Sequence, residues 1–450
     1  MPIPNERYVL FISYYFPPAG GPGVQRVTKF VRYLREFGWT PIVLVPENPQ
    51  YQALDPSLAA EIPEGTIIRR SPIFEPHNLY KKFVGMDKSA PLDVNVNERG
   101  KGGSSVKKSL ANFIRSTFFI PDARIGWKRA AVREGLKLCK EYPISAIYTS
   151  SPPYTVSLIG RSIAKKTGLP FVAGFRDPWS GFESSTPNRW LIPKMIDQSL
   201  EHSVFRDATR IDVAWEGIIA DALGKYPELP REKFVHIPNG FDSADFPEEN
   251  ITTRAHREHG PKFVLTYSGS LYGPRNPASL FAALELLLSR GEIDPSKIIL
   301  RFVGRFGDDI HAMMDAPNIK PMIEKHGYVA HSKAVEFVSD SDALLLIVDD
   351  TPTVAAIVPG KVYEYLGSMR PMLAIAPPDG AIGGLLRQTG GGETAAAKDI
   401  EGQAAAFKRM YDRWLRGEEA SSGMLVDEII RFERRESTRV LATVFDSLTR

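Results

Sequence analysis

The chain has 450 residues, 43% hydrophobic and 24% charged, the make-up of an ordinary globular protein with room for two or three buried cores. Its formal net charge of +3 is too small to imply nucleic-acid binding, and the single cysteine, Cys139, excludes an internal disulfide and a cysteine-built zinc site. No apolar run approaches the roughly 18 residues of a membrane span, and the start, Met1-Pro2-Ile3-Pro4-Asn5-Glu6, lacks the regions of a signal peptide, so a cytoplasmic protein is expected.

The apolar run at 8–12 predicts a strand. A glycine- and proline-rich turn follows, then a helix over 24–37 with Gly38 as its stop, then a strand at 41–45. This is a βαβ unit and points to a parallel sheet with helices on both faces. The turn reads Phe16-Pro17-Pro18-Ala19-Gly20-Gly21-Pro22-Gly23-Val24-Gln25-Arg26. Gly21 and Gly23 imitate the start of a dinucleotide fingerprint, but Arg26 replaces the third glycine, so close helix–strand packing is lost and no nicotinamide or flavin cofactor is expected. What remains is a turn where backbone can approach a ligand closely, or else a purely structural turn.

Residues 78–141 form a basic excursion with 14 Lys/Arg against 6 Asp/Glu. Within it, 106–119 sets basic residues beside bulky apolar ones, as suits a helix on an anionic membrane surface; the plainer reading is a solvated excursion packed on the domain. Strands are predicted at 146–149, 171–173, 211–214 and 235–238. Directly after the second of these comes Phe175-Arg176-Asp177-Pro178-Trp179, placing Arg176 and Asp177 at a strand's carboxyl end. A carboxylate there could orient an acceptor hydroxyl or contact a sugar, or simply initiate an Asp-Pro turn. The first domain is set at 1–245, and the polar stretch 246–262 reads as a linker.

A second series of nearly all-apolar strands, at 263–267, 298–303, 343–348 and 372–375, fits a doubly covered parallel sheet. It defines a second domain at 263–415, with helices in 416–450 packing back on the first. The opening strand ends in Tyr267-Ser268-Gly269-Ser270-Leu271-Tyr272-Gly273-Pro274-Arg275, a small-residue turn that delivers a cation to the carboxyl end of the sheet, where doubly wound folds bind ligands. Later, Ile357-Val358-Pro359-Gly360-Lys361-Val362-Tyr363-Glu364-Tyr365 sets a Pro-Gly turn and a lysine at the start of a helix, a natural phosphate seat. Glu364, one turn on, could accept hydrogen bonds from a sugar's hydroxyls; the bland alternative is a surface turn and an ordinary helix. The scattered histidines lack metal spacing, Asp308-Asp309 and Asp349-Asp350 could bind a cation but such adjacent acids are commonly solvated loop ends, and no serine-hydrolase motif occurs. The predicted architecture is α/β, two doubly wound Rossmann-like domains facing a cleft.

Taken in order along the chain, these segments resemble the family 4-like glycosyltransferases of the GT-B fold. The likeness rests on the glycine-rich turn at 14–23, on Phe175–Trp179, on Ile237-Pro238-Asn239-Gly240-Phe241-Asp242 and on Pro359–Tyr365, with Pro121-Asp122, Trp127 and Gly327-Tyr328-Val329 in support. The resemblance implies transfer of a sugar from a nucleotide diphosphate of UDP or GDP type to a glycan or lipid-linked acceptor. Retention of configuration, with no metal or cofactor, comes with it. It would put Glu364 on the ribose, the backbone of Gly360 and Val362 with Lys361 on the diphosphate, Arg275 on phosphate, and Tyr328 and Val329 near the base. Gly20, Gly21 and Gly23 would close over the diphosphate and sugar. Arg176 and Asp177 would face the acceptor, and the protein would work in the cytoplasm, at the inner face of a membrane when peripheral. Three positions depart from the family pattern: Ala356 where an acid is expected, Ser270 where an arginine is common, and Arg176 where many relatives carry a histidine. These departures keep open a nucleotide-sugar-binding protein without turnover. A nucleotide-sugar epimerase shares the fold and is the third reading.

Overall fold

The computed structural model describes residues 6–51, 54–74, 116–117, 119–180, 189–256, 260–349, 355 and 357–449. The chain folds as two units, Met1–Pro238 with Ser437–Arg450, and Asn239–Glu436.

The first unit is built on β1 (Arg7–Ser13), β2 (Trp39–Glu47), β3 (Ile67–Pro72), β4 (Ile144–Ser151), β5 (Phe171–Phe175), β6 (Arg210–Val213) and β7 (Phe234–His236). They form one parallel sheet in the order β3-β2-β1-β4-β5-β6-β7. Side chains alternate across a strand, and β1 uses both faces. Val9 and Phe11 meet Val27 and Phe30 of the helix α1 (Pro22–Tyr33), together with Leu441 and Phe445 of the helix Arg434–Leu448. Leu10 and Ile12 join Trp127, Leu138 and Ile159 on the opposite face. A sheet buried on both sides needs such continuous apolar strands. α1 opens after Gly21, whose φ of +104° suits glycine, with proline in its first turn. It runs into a 3₁₀ turn, Leu34–Phe37, stopped by left-handed Gly38.

The second unit holds β8 (Phe263–Ser268), β9 (Ile298–Val303), β10 (Ile323–His326), β11 (Ala343–Ile347), β12 (Met372–Ile375) and β13 (Gly392–Ala395), also all parallel, in the order β10-β9-β8-β11-β12-β13. The strand order reverses between β8 and β11, which opens a crevice outside their carboxyl ends. Phe263 and Leu265 pack on Phe407 and Tyr411. Leu344 and Leu346 pack on Val362, Tyr365 and Leu366 of the helix α2 (Gly360–Gly367).

Several expectations change. The edge strands β3, β10 and β13 do not stand out in the sequence. The units divide after Pro238 and again after Glu436, so 246–262 lies inside the second unit rather than forming a linker. The short helix Ile251–Ala255 turns Ile251 and Arg254 inward, and Arg254 donates to the Gly367 carbonyl at 2.6 Å. Residues 416–436 belong to the second unit and 437–450 to the first. Of the basic excursion, 75–115 and residue 118 lie outside the described residues, and with them most of 106–119; Lys128–Glu141 is a regular helix that buries Ala131 and Leu138. Among the described residues, no helix is long and apolar enough to cross a membrane.

Arg26 does not merely spoil a fingerprint. It is 1% exposed and donates to both oxygens of Asp212 at 2.9 and 3.0 Å, and to the carbonyls of Ile237 and Pro238 at 2.8 and 3.1 Å. The Tyr148 hydroxyl donates to Asp212 at 2.8 Å. The side chain that stands in place of the fingerprint's third glycine ties α1 to the point where the chain leaves the first unit. Removing one partner of a buried pair strands the other's charge, so Arg26→Met is expected to cost about 3–5 kcal/mol in urea unfolding. The double variant Arg26→Met/Asp212→Leu should recover most of that loss; a single-variant cost within about 1 kcal/mol would assign the pair no structural weight.

Candidate functional site

β8 runs out at Ser268, and the chain turns through Gly269 with φ +140°, a conformation that L side chains rarely adopt. A Cβ at Gly269 would also stand 2.4 Å from the Lys361 ammonium nitrogen. Lys361 sits in the first turn of α2 and donates to the Ser268 carbonyl at 3.0 Å and the Tyr267 hydroxyl at 3.3 Å, its Nζ lying 4.6 Å from the Tyr267 ring centroid. Tyr365, one turn further, accepts from the Ser268 amide at 2.9 Å, so α2 is bound to the end of β8 from two positions.

The cap residue of α2 is Pro359, and no side chain caps the helix. Gly360 and Lys361 precede any intrahelical acceptor, so their amides belong to the donors that a helix N-terminus leaves over. The Val362 amide is turned back to the Pro359 carbonyl at 3.0 Å, and its side chain is fully buried in the core. Burial pushes Lys361 down to about 8, Arg275 adding to the shift and Glu364 opposing it.

Arg275 arrives through a tight turn in which Tyr272 and Arg275 exchange backbone hydrogen bonds of 3.1 and 3.2 Å. Its fork is engaged by Asp349, with Nη2 to Oδ2 at 2.9 Å and Nε to Oδ1 at 3.2 Å. Asp349 is thus no solvated loop end, and nothing in the local sequence marks it as the partner of Arg275 so far along the chain. Glu364 lies deeper on α2. Burial pushes its carboxyl up from the ordinary range and Asp245 adds to the rise, while His331, Arg434 and Lys361 pull it back. Asp245, His331 and Arg434 come from separate segments of the second unit and were not found from sequence, whereas Lys361 shares the helix with Glu364. Ser270 is exposed and offers its carbonyl to the Tyr267 hydroxyl at 3.1 Å. Tyr328 is 74% exposed, with the Arg305 guanidinium 4.7 Å from its ring centroid, and Val329 beside it is half-buried.

In the first unit the glycine-rich turn and the strand-end motif meet each other. Arg176 donates to the Gly23 carbonyl at 2.8 Å, the Ser150 hydroxyl at 3.1 Å and the Pro152 carbonyl at 2.5 Å. A Cβ on Gly23 would stand 3.1 Å from that guanidinium. Arg176 therefore fixes the entry to α1, with three hydrogen bonds from its guanidinium given to the fold. Gly20 packs by Asp55 and Gly21 is exposed. Asp177 is half-buried, its carboxyl pushed up by burial and drawn back by Arg176. Other motif residues are structural. Asp122 accepts from the amide and hydroxyl of Thr155 at 2.9 and 2.8 Å, and Trp179 donates to Asp197 at 2.9 Å. Phe241 pairs its backbone with Phe432 and Arg434 at 3.1 and 2.7 Å. Lys361, Glu364, Arg275 and Gly269 thus gather in the second unit, and Gly23, Arg176 and Asp177 in the first.

No family model and no curated protein sequence matches the chain. Solved structures do match. The Anabaena protein Alr3699/HepE, solved with UDP and glucose, superposes with a TM-score of 0.61 at 12% identity over 98% of this chain and 100% of its own. A glycosyltransferase from Rickettsia africae gives 0.59 at 13% identity over 99% of both chains. Sucrose-phosphate synthase from Thermosynechococcus elongatus gives 0.58 at 12% identity over 98% of this chain and 99% of its own. At such identities the likeness is one of fold, and it spans both parallel sheets: the chain has the two-domain, Rossmann-like fold of the GT-B glycosyltransferases.

Proposed function

We propose that the protein is a glycosyltransferase that takes its sugar from a nucleoside diphosphate donor of UDP or GDP type. The observation that carries this reading is the gathering of Lys361, Arg275, an uncapped helix N-terminus and the half-buried Glu364 around the β8/β11 switch point. A diphosphate is an anion of the size and charge that two cations and free amides recognise, and a carboxylate one helical turn deeper suits a ribose diol. In the reaction, the bond between the anomeric carbon and the phosphate oxygen breaks as the acceptor oxygen bonds to that carbon. The acceptor's proton passes to the departing diphosphate. The protein's part is electrostatic: Arg275, Lys361 and the helix end stabilise the charge gathering on the leaving group. On this route configuration is retained, and neither a metal nor a protein base of high strength is required.

For the acceptor we infer a glycan or lipid-linked substrate held by the first unit, with Asp177 orienting its hydroxyl and Arg176 shaping the turn. Support for a membrane-side acceptor comes from the helix Leu191–Asp207, whose start exposes Leu191, Ile192 and Met195 beside Lys194. Exposed apolar residues next to a cation suit an anionic lipid surface. The binding-only reading draws on Ser270 and on the engagement of Arg275 by Asp349; donor binding without transfer or slow hydrolysis of any nucleotide sugar would favour it.

Melting temperature in UDP, GDP, ADP and their sugars tests the donor site. A ligand at 100 times its dissociation constant adds about 2.7 kcal/mol of stability. We expect a shift with one base, lost in Glu364→Ala; no shift with any nucleotide would remove the reading.

A pH series tests Lys361. The free ammonium titrates near 8, and a bound diphosphate would favour its charged form, so binding should take up a proton above pH 8. Affinity is therefore expected to be level below pH 8 and to fall as pH rises past it. Lys361→Met should bind about 10–100-fold more weakly, without that fall. An identical pH profile in the variant would exclude Lys361 from the phosphate contact.

A further inference from the structure

We propose that Asp349 is a built-in stand-in for the donor's phosphate: it holds Arg275 across the switch point, and a bound polyanion must take Arg275 away from it. This inference rests on the phosphate site proposed above and concerns how that site is set.

Three observations converge. First is position. Arg275 lies in the turn after β8 and Asp349 follows β11 by two residues, and these strands are neighbours where the order of the sheet reverses. Their ion pair therefore spans the crevice in which a doubly wound sheet receives its ligand. Second is geometry. The Arg275 fork meets both oxygens of Asp349, at 2.9 and 3.2 Å, the two-pronged arrangement with which guanidinium recognises phosphate as readily as carboxylate. The side chains are 30% and 33% exposed, so a ligand can reach the pair. A solvent-reachable pair made by the expected phosphate contact is placed to exchange its carboxylate for a phosphate.

Third is charge. Lys361 rests on the Ser268 carbonyl and the Tyr267 hydroxyl, and among the described residues no carboxylate oxygen lies within ion-pair distance of its nitrogen. Asp349 neutralises one cation and leaves the other with neutral oxygens. A diphosphate carries enough charge and enough oxygens to serve both, whereas a single carboxylate reaches only Arg275. While Asp349 is in place, it also repels an arriving phosphate. The measured affinity is then the intrinsic one reduced by the fraction of molecules in which Arg275 is taken.

The test compares wild type, Asp349→Asn and Asp349→Ser by calorimetry, with inorganic pyrophosphate and with UDP and GDP as probes. Both variants should bind pyrophosphate, and whichever nucleotide binds, about tenfold more tightly. Repeating Asp349→Asn on an Arg275→Met background should shrink that gain to twofold or less, because the competition has lost its object. Correctly folded Asp349 variants with unchanged or weaker pyrophosphate affinity would overturn the proposal, and so would a full gain on the Arg275→Met background. The probes separate this inference from the donor reading. A gain with pyrophosphate while no nucleotide binds would end the donor reading and leave the stand-in intact. Nucleotide binding and sugar transfer with no gain in the variants would do the reverse.

Discussion

Within each unit every strand runs in one direction, and most of what matters in this protein depends on that. Parallel neighbours cannot be joined by tight hairpins, so each connection crosses a face of the sheet and usually carries a helix. Both faces are then covered, which is why β1 can bury Val9, Leu10, Phe11 and Ile12 in succession. The same polarity sends every strand's carboxyl end to one edge. The turns after β8 and β11 meet there because the first strand of the second unit has neighbours on both sides, and the chain must change direction through the sheet to supply them. Gly269, Arg275 and Asp349 are held together by that geometry rather than by any proximity in sequence.

What could be read from the sequence follows the same physics. Central strands are buried on both faces and so appear as unbroken apolar runs; 298–303 and 372–375 were placed to the residue. β3, β10 and β13 lie at sheet edges, where one side is only partly covered. Ile323-Glu324-Lys325-His326 and Gly392-Glu393-Thr394-Ala395 carry no apolar periodicity to detect. At the site, Lys361 and Glu364 were legible because one helical turn fixes their spacing. Asp349 was not, since its tie to Arg275 is created by the pairing of β8 with β11 and leaves no local mark.

Arg176 and Arg26 teach the converse lesson. Each was read by what it displaced, a histidine of the family pattern in one case and a glycine of a fingerprint in the other. In the structure both guanidiniums are absorbed by backbone carbonyls around the glycine-rich turn, Arg176 at Gly23 and Pro152 and Arg26 at Ile237 and Pro238. A planar group with five donors can gather several carbonyls that no secondary structure satisfies. A motif at a strand end therefore points to the right place without settling which of its residues meets a ligand and which holds the loop.

The helix Arg434–Leu448 has a consequence for how the protein comes into being. Its Phe445 ring packs 5.3 Å from Trp39 and 6.5 Å from Phe11, and Asp446 accepts from the Trp39 indole at 3.0 Å and from Arg7. These partners belong to the earliest strands, yet the ribosome releases the helix only after the entire second unit. During synthesis the apolar face of β1 and β2 must therefore wait with part of its cover missing, while the second unit can close its own sheet in the meantime. For this helix the order of assembly runs against the order of translation, so the nascent first unit leaves aromatic surface uncovered until synthesis ends.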